Sequence, residues 1–92
     1  MIYSIENETY RVSVKSVGAE LCSFYDKTAD HEYIWEGNPA FWTGTSPLLF
    51  PIVGRLRDDI YYLNGKEYTL AKHGFAKKME FEVEVQTADE LV

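Results

Sequence analysis

Apolar and polar residues alternate with a period of two along most of this chain. In "TYRVSVKSV", Tyr10, Val12 and Val14 interleave with Arg11, Ser13 and Lys15. Successive side chains of a strand point to opposite faces, so this pattern predicts a half-buried strand. "IYSIENE" ahead of it reads as a short strand closing on Asn7 and Glu8, which makes the first fifteen residues a hairpin. Gly18 breaks the alternation, and "AELCSFYD" resumes it with Leu21 and Phe24 as apolar anchors. Asp26 to Asp30 reads as a polar turn, followed by a further short strand in "HEYIWE". "GNPAFWTGTSP" has the Gly, Asn and Pro punctuation of an irregular loop, although it carries Phe41 and Trp42.

The second half continues in the same period. "IYYLNGKEYTL" sets Asn64-Gly65 between two β-rich arms, the strongest short hairpin signature, because both turn residues need positive φ. "MEFEVEV" opposes Phe81, Val83 and Val85 to Glu80, Glu82 and Glu84, a strand with one wet face. "LLFPIVGRLRDD" is different. Pro47 and Pro51 cannot donate to a ladder, which argues against a regular central strand and for an edge or bent strand that delivers "GRL" to one rim. "QTADELV" predicts a turn at Thr87 to Asp89 and a new strand opening at Leu91 and Val92, where the chain stops. That leaves an unpaired edge, through which copies could associate, and suggests a truncated protein. No helix of convincing length emerges. The expected class is all-β: antiparallel, and part of a sandwich.

Bulk composition narrows the setting. Ninety-two residues suit one domain at most, and a chain of this size buries only about 60–65% of its unfolded surface. With 46% hydrophobic and 15% aromatic residues the chain is globular in composition, not disordered. A net charge of −6 with scattered basic residues excludes the footprint of a nucleic-acid binder. Cys22 is the single cysteine, so no internal disulfide can form, and a buried spectator thiol is expected. "MIYSIENETY" is no signal peptide, and no run of apolar residues reaches membrane-spanning length. The expected setting is soluble, reducing and cytoplasmic, with no nucleic-acid or membrane partner.

Candidate chemistry concentrates in two words. In "FPIVGRL", Gly54 permits close backbone approach and Arg55 can present a fixed fork of donors to a polyol or a carboxylate. The competing reading is that Arg55 or Arg57 pairs with Asp58 or Asp59 as an ordinary surface arginine. In "KHGFAKK", His73 follows a strand and precedes a glycine, so its ring could reach a cleft and bond a sugar hydroxyl; a purely structural histidine is the alternative. His31 looks like surface, and two histidines without cysteine or carboxylate at ligand spacing make no metal site. Trp35, Trp42, Phe50 and Phe75 are core by default. Trp42 and then Phe75 are the aromatics best placed to stack on the apolar side of a sugar ring.

The words "YIWEGNPAFW", "PLLFPIVGRL", "YLNGKEYTL" and "KHGFAKKMEFEV" stand in the same order as in bacterial aldose 1-epimerase-like proteins of the galactose mutarotase superfamily. The chain resembles that family from about Ile2 to Val92. The resemblance implies a large antiparallel supersandwich, with residues 1–92 as its N-terminal segment, truncated at the C-terminus. It also implies a sugar cleft to which Arg55 and His73 contribute as the substrate-orienting pair. Relatives commonly read His-Gly-Phe-Ala-Arg, and Lys77 takes the arginine place here. Lysine keeps the charge and loses the bidentate fork with which an arginine there would hold a carboxylate or substrate.

The implied reaction is the exchange of α and β anomers of a hexose by ring opening and reclosure, needing an acid and a base and no metal or organic cofactor. In the family a mid-chain histidine and a late glutamate do this work, and both lie beyond Val92. Glu80, Glu82 and Glu84 belong to a wet strand face and do not replace them. The chain alone is therefore expected to be inactive, with Arg55, His73, Trp42, Phe75 and Lys77 forming a sugar-binding half-site. Two alternatives stand beside it. One is a non-catalytic carbohydrate-binding or assembly module; the other is a sugar-phosphate epimerase, drawing on Arg55, Arg57 and Lys77.

Overall fold

The computed structural model describes all 92 residues and contains strands and two short 3₁₀ turns, with no α-helix. Accordingly no helix is long and apolar enough to cross a membrane. Strands β1 (Ile2–Glu6), β2 (Tyr10–Lys15), β3 (Glu20–Asp26) and β4 (His31–Glu32) form one antiparallel sheet in chain order. β5 (Ile60–Leu63) and β6 (Lys66–Thr69) form a separate hairpin.

The turns of the sheet follow from side-chain chemistry. Asn7 Oδ1 accepts hydrogen bonds from the Thr9 and Tyr10 amides, both at 2.8 Å, which closes the β1–β2 hairpin. Asp26 Oδ1 accepts from the Ala29 amide, the Thr28 hydroxyl and the Thr28 amide and organises the β3–β4 turn. Those donors hold the Asp26 carboxyl below its ordinary range. In the second hairpin Asn64 and Gly65 adopt φ of 52° and 77°, as the Asn-Gly dipeptide predicts.

Register explains how β3 keeps two anchors on one face. Leu21 and Phe24 are three residues apart, an odd spacing that ordinary alternation would send to opposite faces. A bulge resolves this. Ser13 pairs with Ser23 and Val14 with Leu21, so Cys22 is the extra residue. Tyr3, Val14 and Leu21 then share a face with Ile5, Val12 and Phe24, while Ser4, Ser13 and Ser23 share the other. Tyr10 packs on Phe24 with ring centroids 5.3 Å apart, on the apolar face.

Three sequence expectations are corrected. "HEYIWE" yields only the two-residue β4. "LLFPIVGRLRDD" forms no strand: the segment makes a single parallel bridge between Phe50 and Gly74, and the Phe50–Pro51 peptide is cis. Prolines at 47 and 51 deny it the donors a ladder requires. "MEFEVEV" is extended but unladdered, meeting its neighbours through the bridge Val17–Glu80 and the hydrogen bonds between Val85 and Val92. The turn expected at Thr87 to Asp89 is present, closed by the Thr87 amide on the Glu90 carbonyl at 2.9 Å.

The aromatic core does not form either. Trp35, Trp42, Phe50 and Phe75 are all exposed, and Ala76 is the sole buried apolar side chain. The reason is geometric. The molecule is a slab 17 Å thin with a radius of gyration of 16.7 Å, against about 12 Å for a compact domain of this length. One layer of sheet has no second layer to bury its apolar face.

Candidate functional site

The candidate site forms where the loop after β4 and the turn after β6 meet the start of β3. Glu20, the first residue of β3, is the fastening. Its Oε1 accepts from the Thr45 amide at 2.8 Å, the Ser46 amide at 3.0 Å and the Thr45 hydroxyl at 3.1 Å. Partial burial pushes the Glu20 carboxyl up, but these donors and Lys15 together hold it below its ordinary value. The strap Trp42–Ser46 is thereby tied across the sheet, and Trp35 Nε1 donates to the Trp42 carbonyl at 2.8 Å.

On the other side stands the turn at His73 and Gly74. Both residues are left-handed, with φ of 68° and 74°. A Cβ on Gly74 would sit 2.7 Å from the Pro51 nitrogen and closer still to the Phe50 carbonyl, so only glycine fits. The close approach lets the Phe50 carbonyl accept from the amides of Phe75 at 3.0 Å and Ala76 at 3.1 Å. His73 is fixed twice over: its amide donates to the Gly54 carbonyl at 2.8 Å, and its Nδ1 bonds the Val53 carbonyl. A carbonyl only accepts, so Nδ1 carries the proton. In the neutral ring Nε2 is then a bare acceptor.

Strap and turn enclose a hollow of about 290 Å³ whose lining includes Glu20, Trp42, Pro47, His73, Lys77 and Lys78. Three of the sequence candidates, Trp42, His73 and Lys77, therefore share one concavity. Arg55 and Phe75 lie outside its lining. Phe75 instead joins Leu48, Leu49, Phe50, Met79 and Phe81 around a wholly apolar hollow of about 570 Å³.

Arg55 has the partner that its competing reading named. Nε donates to Asp59 Oδ1 at 2.9 Å and Nη2 to Asp59 Oδ2 at 3.0 Å, a bidentate fork. That pairing raises the guanidinium and lowers the carboxyl from their ordinary values. The Arg55 side chain nevertheless stays 65% exposed. Its backbone also adjoins the Gly54 carbonyl that receives the His73 amide, so the two candidates flank one peptide contact.

A match to the family model described as aldose 1-epimerase runs over residues 1–92. The chain belongs to the aldose 1-epimerase family. It is 38% identical to the chromosomal LacX protein of Lactococcus lactis subsp. lactis, a match covering 91% of this chain and 29% of that protein. A galactose mutarotase related enzyme from Lactobacillus acidophilus superposes with a TM-score of 0.94 at 44% identity, over 99% of this chain and 30% of the other. A galactose mutarotase-like protein from Lactobacillus casei gives 0.91 at 35%, over 96% and 30%. The fold is thus galactose mutarotase-like, and the chain spans about 30% of the length of these relatives.

Within this family frame, two lining residues escape sequence reasoning. Glu20 sits in an alternating strand word, and nothing in "AELC" distinguishes a strap fastener from a solvated carboxylate. Lys78 sits beside Lys77, and only the 3₁₀ turn Ala76–Lys78 brings both to the hollow.

Proposed function

We propose that this chain supplies the substrate-orienting half of an aldose 1-epimerase-type site, acting on a hexose in a cytoplasmic protein. The observation that carries this reading is the fixed His73 ring. Its Nδ1–H is committed to Val53, which leaves Nε2 as the free acceptor of a residue that lines the same hollow as Trp42. An acceptor nitrogen beside an aromatic face suits a hydroxyl-bearing ring with one apolar side. Lys77 donates to sugar oxygens from the same wall, and Arg55 approaches from the adjoining rim. Phe75 contacts the sugar less directly, since it faces the apolar hollow. Ring opening needs an acid and a base acting in concert, and His73 orients the sugar for them. Those two groups belong to the part of the family fold outside these residues, so the chain alone does not catalyse.

Polarimetry tests this. The 92-residue chain should leave anomer exchange at the buffer rate. A chimera in which residues 1–92 replace the matched segment of the Lactobacillus acidophilus protein should accelerate it in proportion to its concentration. In the chimera His73→Ala should lower kcat/KM by about 100-fold. Acceleration by the isolated chain, or an unaffected His73→Ala chimera, would refute the assignment.

A phosphorylated hexose is the second reading, favoured by Lys77 and Lys78 lining the same hollow. Free and 6-phosphorylated hexose competing for the chimera separate the two. Glu20 offsets part of that positive charge, which favours the neutral sugar.

A further inference from the structure

We propose that Asp59 is a positioning residue for sugar recognition, clamping Arg55 so that the free edge of its guanidinium meets neighbouring hydroxyls of the substrate. The proposal rests on the reading of Arg55 as a sugar contact. A guanidinium has five N–H donors in one plane. Asp59 takes the Nε–H and one Nη2–H. Three remain, both on Nη1 and one on Nη2, and they point away from the carboxylate. The Nη1–Nη2 edge then offers parallel donors, a geometry suited to two adjacent oxygens of a polyol.

Both ends of the clamp are anchored. The Asp59 amide donates to the Leu56 carbonyl at 3.1 Å, and the Asp59 carbonyl accepts from Leu70 at 2.8 Å, at the base of the β5–β6 hairpin. Asp58 and Asp59 are both left-handed, with φ of 57° and 58°, so the chain reverses within the 3₁₀ turn Arg57–Asp59 and brings the carboxylate back to Arg55. Aspartate tolerates that conformation better than most residues. At the other end, the Gly54 carbonyl is held by the His73 amide. Residues 54–60, held by His73 at one end and entering the hairpin at the other, are a short bracket, and the ion pair lies within it. A free arginine on this rim would sample many rotamers; a clamped one loses less freedom when substrate binds. An exposed pair of this kind adds little to folding stability, which allows recognition and stability to be read separately.

The experiment uses the chimera described above, with sugar titrated in the anomer-exchange assay and melting followed in parallel. Asp59→Asn should raise KM about tenfold with kcat within about twofold, and should leave the melting temperature nearly unmoved. Asp59→Glu, which retains a carboxylate, should recover most of the loss. Arg55→Lys combined with Asp59→Asn should be no worse than Arg55→Lys alone, because the clamp has no fork left to hold. The proposal is overturned if Asp59→Asn leaves KM unchanged while Arg55→Lys raises it; the sugar-contact reading then survives. It falls together with that reading if neither substitution moves KM. It also falls if the KM changes across all variants simply track falling melting temperatures.

Discussion

The β1–β4 sheet and the arm from Pro47 to Val92 both carry period-two patterns, yet they end in different states. The sheet closes three ladders, its first and last turns are held by side-chain acceptors, and a bulge keeps the apolar anchors aligned. Apart from its β5–β6 hairpin, the arm makes isolated bridges and leaves Leu49, Phe50, Phe75, Met79 and Phe81 exposed. Alternation makes a strand only when a partner strand receives its amides and a second layer covers its apolar side. The sheet finds its ladder partners within these residues. Outside the β5–β6 hairpin the arm does not, and the candidate sugar contacts Arg55, His73, Phe75 and Lys77 all lie on that unladdered part.

The arm's order therefore rests on a few backbone contacts, and the tightest is Gly74 against Phe50. Gly74→Ala should have the largest effect, destabilising the arm by about 3 kcal/mol, because it adds a left-handed strain to a steric overlap. Hydrogen exchange separates the two regions: the amides of Phe75 and Ala76 should lose protection, while those of β1–β3 keep theirs. Equal loss in both would mean that sheet and arm unfold as one unit with no difference in order between them.

Glu20 joins the two regions, so it sharpens the comparison at the seam. Glu20→Ala leaves the Thr45 and Ser46 donors without their acceptor and should cost about 1–2 kcal/mol, read most directly as a change in Trp35 and Trp42 emission. The carboxyl is depressed in the folded state from an ordinary 4.5. Its contribution is thus complete above that value and is lost as the pH falls through the lower, folded pKa. Tryptophan emission should accordingly titrate below pH 4.5, and Glu20→Gln, which retains an oxygen acceptor, should remove that transition. A transition that persists in the glutamine variant would place the acid sensitivity elsewhere, Asp26 being the next carboxyl tied to amides.

What the sequence disclosed follows the same division. Asn7, Asp26 and Asn64-Gly65 act on their own backbone within three residues, so their turns were readable from local words. The anchors Leu21 and Phe24 were recognisable, but their odd spacing already required the bulge at Cys22, a feature that local alternation alone does not place. Of the candidate site, His73, Lys77 and Trp42 converge on one hollow, while Phe75 turns to another. Glu20 was illegible because its role depends on a loop 25 residues away. The expected aromatic core is absent for a physical reason: composition reports that apolar surface exists, not that a second layer lies within reach to bury it.

The smallest effect belongs to Cys22, on the ordered side of the comparison. As the bulged residue it is half-buried, and its Sγ–H donates to the Ser13 carbonyl at 3.4 Å. Burial raises the thiol pKa; Lys15 opposes this, and the Glu20 and Glu32 carboxylates add to it. The thiolate is the reactive form, so alkylation at pH 8 should run slower than for free cysteine. Cys22→Ala should change stability by no more than about 1 kcal/mol, since the ladder passes around the bulged position instead of through it. Rapid alkylation in the native protein would mean that the β2–β3 pairing opens readily. The sheet would then share the looseness of the arm, and the difference between them would be one of degree.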